Sequence, residues 1–167
     1  VFCGMGNNGG DGLVLARLLF QQDIIPEVFM VCYTDKMSPD CECNYLRLKE
    51  ETDVPLCPIH SSDDFPLIGS DDVVVDAIFG SGLNRALSGM VADLIKYLKD
   101  WELELAEGIC SNLHPDAIFH HDDFGSERNS FLRPAVFEDF FLDAYKQIYG
   151  YYHDHGVEFV FHHSDSY

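Results

Sequence analysis

With 167 residues, 47% of them apolar and 23% charged, the chain has the size and composition of one folded globular domain. Its formal charge of −19, from 10 basic against 29 acidic residues, argues against nucleic acid or an anionic membrane as a partner, because either polyanion would be repelled. No apolar run approaches a membrane span, and the opening residues lack the basic segment of a signal peptide.

Strands are expected near 1–4, Glu27–Tyr33, Leu56–Ile59, Asp72–Phe79, Asp116–His121 and Val157–His162, alternating with helices near 11–22, 41–52, 89–110 and 134–155. The opening segment, Val1-Phe-Cys-Gly-Met-Gly-Asn-Asn-Gly-Gly-Asp-Gly12, reads as a strand, a tight turn and a helix start. Glycines at 4, 6 and 9 fit the G-x-G-x-x-G spacing, in which missing side chains let backbone N–H groups approach a pyrophosphate on the positive end of a helix. Gly9 and Gly10 are expected to permit that approach, while Asn7, Asn8 and Asp11 offer side-chain oxygens to a ligand or cation. The six cysteines, at 3, 32, 41, 43, 57 and 110, have no metal-ligand spacing. Cys41 and Cys43 fall on different faces of their helix, and the set reads as reduced thiols of a cytoplasmic chain. In the last helix Pro134 suits the first turn, Glu138 and Asp139 sit at the positive end, and Gly156 suits the stop. Its stripe of Phe137, Phe140, Phe141, Ala144, Ile148 and Tyr151 is core.

Gly4-Met-Gly-Asn-Asn-Gly-Gly-Asp-Gly12, followed by Asp76-Ala-Ile-Phe-Gly-Ser-Gly-Leu-Asn-Arg85 and Leu87-Ser-Gly89, resembles the NAD(P)H-hydrate epimerase family over roughly Val1 to Lys99. The resemblance implies a Rossmann-like fold and a nicotinamide cofactor hydrated at C6 of its ring as substrate. It implies Asn7, Asn8, Gly9, Gly10 and Asp11, with Gly80, Ser81, Gly82, Leu83, Asn84, Arg85 and Ala86, as substrate-binding. Asn8 and Asp76 are implied as ligands of a potassium ion. The family's later Asp-Ile-Pro-Ser-Gly-type motif, which supplies a substrate-contacting Asp and a cation-ligating Ser, has no counterpart after Lys99.

From about Trp101 to Tyr167 the chain instead resembles a fragment of the uroporphyrinogen decarboxylase superfamily, with its corrinoid methyltransferase branch. The motifs are His114-Pro-Asp-Ala-Ile-Phe-His-His-Asp-Asp-Phe-Gly125, Phe131-Leu-Arg-Pro134 and Val157-Glu-Phe-Val-Phe-His-His-Ser-Asp165. That family forms a (β/α)₈ barrel, of which this segment supplies about a quarter. The expected origin is therefore a chimera, engineered or recombined, in which a β-α-β piece of a barrel completes an epimerase-like α/β domain spanning 1–167.

Right-handed βαβ steps favour a Rossmann-like open, mainly parallel sheet in the order 3-2-1-4-5-6, with helices on both faces. The loops after strands one and four then meet at the switch point, where open α/β sheets bind ligands, and Asp122, Asp123, His162, His163 and Asp165 end at the same edge. Seven of the eight histidines lie beyond Leu113. Strand alternation sends His120 and His121, and likewise His162 and His163, to opposite faces, so at most half can meet, which disfavours zinc. His153 and His155 complement a helix C-terminus. The leading expectation is a partial crevice for NAD(P)H or its hydrate, with potassium, and with epimerase activity absent or strongly reduced. Asp122 and Asp123 are weak candidates for the missing catalytic Asp. Two alternatives remain: a chain assembled for folding with no ligand or activity, and a decarboxylase or methyltransferase, ranked last because most of that barrel is absent. The sheet edges invite self-association.

Overall fold

The computed structural model describes residues 1–80, 87–121 and 134–163, with the side chains of His121 and Phe140 outside the description. The chain divides into two compact units, one built on residues 1–67 and 71–80 and the other on 68–70 and 81–167.

In the first unit β1 (Phe2–Cys3), β2 (Val28–Val31), β3 (Leu56–Ile59) and β4 (Asp76–Ala77) form a parallel sheet in the order β3-β2-β1-β4. β1 is central, with Phe2 facing Phe29 on one side and Asp76 on the other. Backbone bonds from Phe2 N to Val75 O (2.8 Å) and from Gly4 N to Ala77 O (3.0 Å) fix it to β4. Val28, Met30 and Val31 are all buried, as expected of a strand inside a parallel sheet rather than on its rim. Helices α1 (Asn7–Phe20) and α2 (Pro39–Glu51) pack against each other. Ser38 caps α2 by accepting from Cys41 N (3.2 Å), with Pro39 in the first turn and Asp40 and Glu42 at the positive end of the dipole. Glu51 of α2 ties that helix to α1 through Arg17 (3.2 Å) and pairs within α2 with Arg47 (3.1 Å), and its carboxyl is held below the usual range chiefly by the Arg47 hydrogen bond. Cys3, Leu13, Ala16, Val28, Met30, Cys41 and Leu48 make the core.

The second unit holds α3 (Met90–Leu113), β5 (Ala117–His121), α4 (Pro134–Phe140), α5 (Leu142–Asp154) and β6 (Phe159–His163). β5 and β6 pair in parallel, with His120 opposite His162. His114 (φ 46°) ends α3 in the left-handed region, and Gly156 (φ 91°) follows α5 as its sequence position implies. Ala106, Cys110, Ile148, Tyr152 and Val157 form this unit's core.

The α/β class, the mainly parallel sheet and the order 3-2-1-4 agree with the sequence reading. The continuation to strands five and six does not: among the described residues β5 and β6 form a two-stranded sheet of their own. β4 pairs over only two residues, where a strand over 72–79 was expected, and so short an edge offers little to a five-residue neighbour. The expected helix over 134–155 is broken at Phe141, and its stripe rotates, so that Tyr152 rather than Tyr151 is buried with Ile148. Among the described residues no helix is long and apolar enough to cross a membrane.

Candidate functional site

The site is built from the turn that follows β1. α1 begins at Asn7, four residues earlier than its composition suggests, so the turn itself is only Gly4-Met5-Gly6. Gly6 precedes the helix in extended conformation (φ −96°, ψ −171°), and no side chain caps the first turn. The leading N–H groups of α1 therefore face the turn as an uncapped positive helix end. Ser38 N donates to Met5 O (2.8 Å) and fixes the turn from the α2 side.

The glycines serve close packing here. A Cβ at Gly9 would lie 1.8 Å from Gly4 O, and one at Gly12 would lie 2.6 Å from Ala77 Cβ and 2.7 Å from Cys3 Sγ. The missing Cβ of Gly10 makes room for the α2 backbone, 3.1 Å away at Cys41 Cα. Gly9, Gly10 and Gly12 thus press α1 onto β1, β4 and α2, which is why residues of poor helix propensity occupy its first two turns.

Asn8 joins the two sequence motifs. Its Nδ2 donates to Phe79 O (2.7 Å), and a Cβ on Gly80 would stand 3.2 Å from Asn8 Cβ, so the loop after β1 meets the segment after β4. Asp76 is exposed at β4, where its Oδ1 accepts from Ile78 N (2.8 Å) and shapes the turn toward Phe79. Asn7 and Asp11 are exposed on α1, and Gly9 and Gly10 are buried. Ser81, Gly82, Leu83, Asn84, Arg85 and Ala86, and the catalytic candidates Asp122 and Asp123, lie outside the described residues. The donors that Asn8, Asp76 and the Phe79 carbonyl offer are oxygens, the chemistry that suits a hard cation such as potassium. With its Nδ2 engaged on Phe79 O, Asn8 has its Oδ1 as the oxygen it can offer a cation.

Beneath the turn lie two thiols. Burial pushes Cys3 up to about 12, and it also raises Cys41, whose Sγ donates to Gly4 O (3.6 Å). At both positions burial favours the neutral thiol over the thiolate. The sequence reading missed an aromatic pair: Tyr33, past the end of β2, and Phe79, past β4, have ring centroids 5.2 Å apart at 40°. An aromatic residue just past each strand that flanks β1 was the available signal.

In the second unit one histidine of each pair, His120 and His162, comes to a shared tyrosine. The Tyr149 hydroxyl stands 2.7 Å from His120 Nδ1 and 2.6 Å from His162 Nδ1, while His120 Nε2 lies 3.6 Å from Glu102 Oε1. Among the described residues no group of three or more His, Cys, Asp or Glu could hold a metal ion. His153 and His155 sit at the end of α5, each with Nδ1 near a backbone carbonyl, of Val157 (2.9 Å) and Tyr151 (2.8 Å).

A family described as YjeF-related protein N-terminus matches residues 1–114. An NAD(P)H-hydrate epimerase of Rhodobacter capsulatus is 39% identical over 89 residues, 53% of this chain and 40% of that protein. One of Schizosaccharomyces pombe is 32% identical over 135 residues, 71% and 54% respectively. A bifunctional NAD(P)H-hydrate repair enzyme of Thermofilum pendens is 36% identical over 119 residues, 70% and 23%. The chain spans about half the length of these relatives, or less. The family match also takes in Trp101–His114, which the sequence reading had given to the decarboxylase-like segment. That boundary falls inside α3, one unbroken helix from Met90 to Leu113.

Proposed function

The chain belongs to the family of YjeF-related protein N-termini, and on that footing we propose that it holds a nicotinamide dinucleotide, or its C6 hydrate, in the crevice between the turn after β1 and the segment after β4. The observation that carries the reading is the hydrogen bond from Asn8 Nδ2 to Phe79 O, which brings the two motif-bearing segments to one sheet edge. In open α/β sheets ligands lie outside the carboxyl ends of the strands where the order reverses, and β1, with β2 on one side and β4 on the other, is that place.

In this reading Asn7, Asn8, Gly9, Gly10 and Asp11, with Gly80 to Ala86, contact the ligand, and the uncapped start of α1 receives its pyrophosphate. Asn8 and Asp76 hold potassium, whose charge offsets the repulsion between an anionic ligand and a chain of net charge −19. Exchange of configuration at C6 needs a positioned proton donor or acceptor. Asp122 and Asp123 are the proposed candidates, and because a displacement of about 1 Å is enough to depress such a rate, turnover is proposed to be absent or strongly reduced. A cytoplasmic location, in keeping with six free thiols, and a recombined origin for residues 115–167 go with the reading.

The test is to supply one pure epimer of NADPH hydrate to the full chain in potassium buffer and follow the epimer ratio by chiral chromatography alongside binding. Saturable binding with slow or no epimer exchange agrees with the proposal. Rapid equilibration removes its second half, and a folded chain that leaves the hydrate unbound removes the first.

A further inference from the structure

Tyr33 and Phe79 follow strands that lie on opposite sides of β1. Strands two apart in a sheet stand roughly 10 Å from each other, so rings 5.2 Å apart from those two positions must reach toward one another across the carboxyl end of β1. That is the end from which the Gly4–Gly6 turn departs. Both rings are half-buried. Each is held from behind: Tyr33 packs on the core cluster of Cys3, Met5 and Leu13, with its backbone N–H donating to Val31 O (3.1 Å), and the Phe79 carbonyl receives Asn8 Nδ2. Two restrained aromatic rings, half exposed at a switch point beside an uncapped helix start, are an arrangement suited to a flat ligand group whose phosphates lie on the helix.

We infer that Tyr33 and Phe79 form the wall against which a planar nitrogen heterocycle of the bound dinucleotide stacks, and so set the selection for a nucleotide over a bare phosphate ester. The inference rests on the proposed dinucleotide crevice and adds the residues that recognise the ring. Packing alone would account for two buried rings. It would not call for two half-exposed ones at the mouth of the crevice.

The experiment titrates the full chain and its Tyr33→Leu, Phe79→Leu and Tyr33→Phe variants with NADPH, AMP, nicotinamide mononucleotide and inorganic pyrophosphate. Loss of a stacking ring should weaken NADPH about tenfold, Tyr33→Phe should stay close to the parent, and pyrophosphate should bind all four proteins alike. Weakening confined to AMP assigns the wall to the adenine, and weakening confined to the mononucleotide assigns it to the nicotinamide. Unchanged NADPH affinity in both leucine variants, or equal losses for NADPH and pyrophosphate, overturns the inference while leaving the crevice standing. A parent chain that binds none of the four overturns both. Should a leucine variant fail to fold, Tyr33→Trp in a Trp101→Phe background supplies a lone indole at the wall, since Trp101 is the chain's one tryptophan. NADPH must then quench its emission at saturation, and an unquenched indole refutes the wall.

Discussion

Replacing Gly9 by alanine probes the contact on which the crevice depends. The new Cβ would lie 1.8 Å from Gly4 O, 2.6 Å from its carbonyl carbon and 2.9 Å from its nitrogen, all backbone atoms. To reach even 3.0 Å, α1 must retreat from the end of β1 by about 1.2 Å. Gly4 cannot yield, because its N–H is bound to Ala77 O and its neighbours Phe2 and Cys3 are paired on both sides. Overpacking against an immovable partner sits at the upper end of the usual range, about 3 kcal/mol. The gain in helix propensity from glycine to alanine returns about 1 kcal/mol. The expected net loss is about 2 kcal/mol, or a fall in Tm of about 4–8 °C for a chain of this size. Gly150→Ala is the internal control. It lies within α5 with nothing within 4 Å of its Cβ position, so only the propensity gain applies and the protein should become more stable by up to about 1 kcal/mol. Urea unfolding followed by far-UV circular dichroism reads both. A Gly9→Ala protein as stable as the parent would refute the close-packing account of α1.

The other predictions concern the cation, the buried thiol and the histidine bridge. Asp76→Ala should abolish potassium-dependent thermal stabilisation measured against a larger monovalent cation at equal ionic strength; a variant that responds to potassium as the parent does would exclude Asp76 as a ligand. Cys3 has a raised folded-state value, so its contribution is complete below its ordinary value of 9.0 and is lost as the pH rises from there toward about 12. Stability should decline across that alkaline window, and Cys3→Ala should flatten the decline in a series of urea midpoints. Tyr149→Phe removes the hydroxyl between His120 and His162 and should cost about 1–2 kcal/mol. Chemical shifts of both imidazoles unchanged in the variant would show that no bridge exists in solution.

What was legible in the chain followed from local chemistry. The Gly4-to-Gly12 spacing marked the strand-turn-helix unit, the alternation of apolar strands with helices marked the parallel sheet, and strand alternation allowed at most half of the paired histidines to meet without saying which; His120 and His162 are the two at Tyr149. The start of α1 was misjudged because Asn7, Asn8, Gly9 and Gly10 have poor helix propensity, and it is tertiary contact with Gly4 and Cys41 that makes them helical. β4 was overestimated because Val73, Val74 and Val75 have strand propensity, yet Val73 is 88% exposed and pairs with nothing in the described sheet. The break at Phe141 carries no glycine or proline to announce it. Tyr33 and Phe79, 46 residues apart, become neighbours only once the strand order is known.

The central claim is that a dinucleotide occupies the crevice joined by Asn8 and Phe79. Isothermal titration of the full chain with NADPH hydrate in potassium buffer, beside the Asn8→Ala variant, tests it most directly. The account predicts saturable one-to-one binding by the parent, weakened severalfold when potassium is replaced by a larger cation, and lost or strongly weakened in Asn8→Ala while the variant remains folded. Wild-type affinity in a folded Asn8→Ala protein, or no heat of binding from the parent, would contradict it.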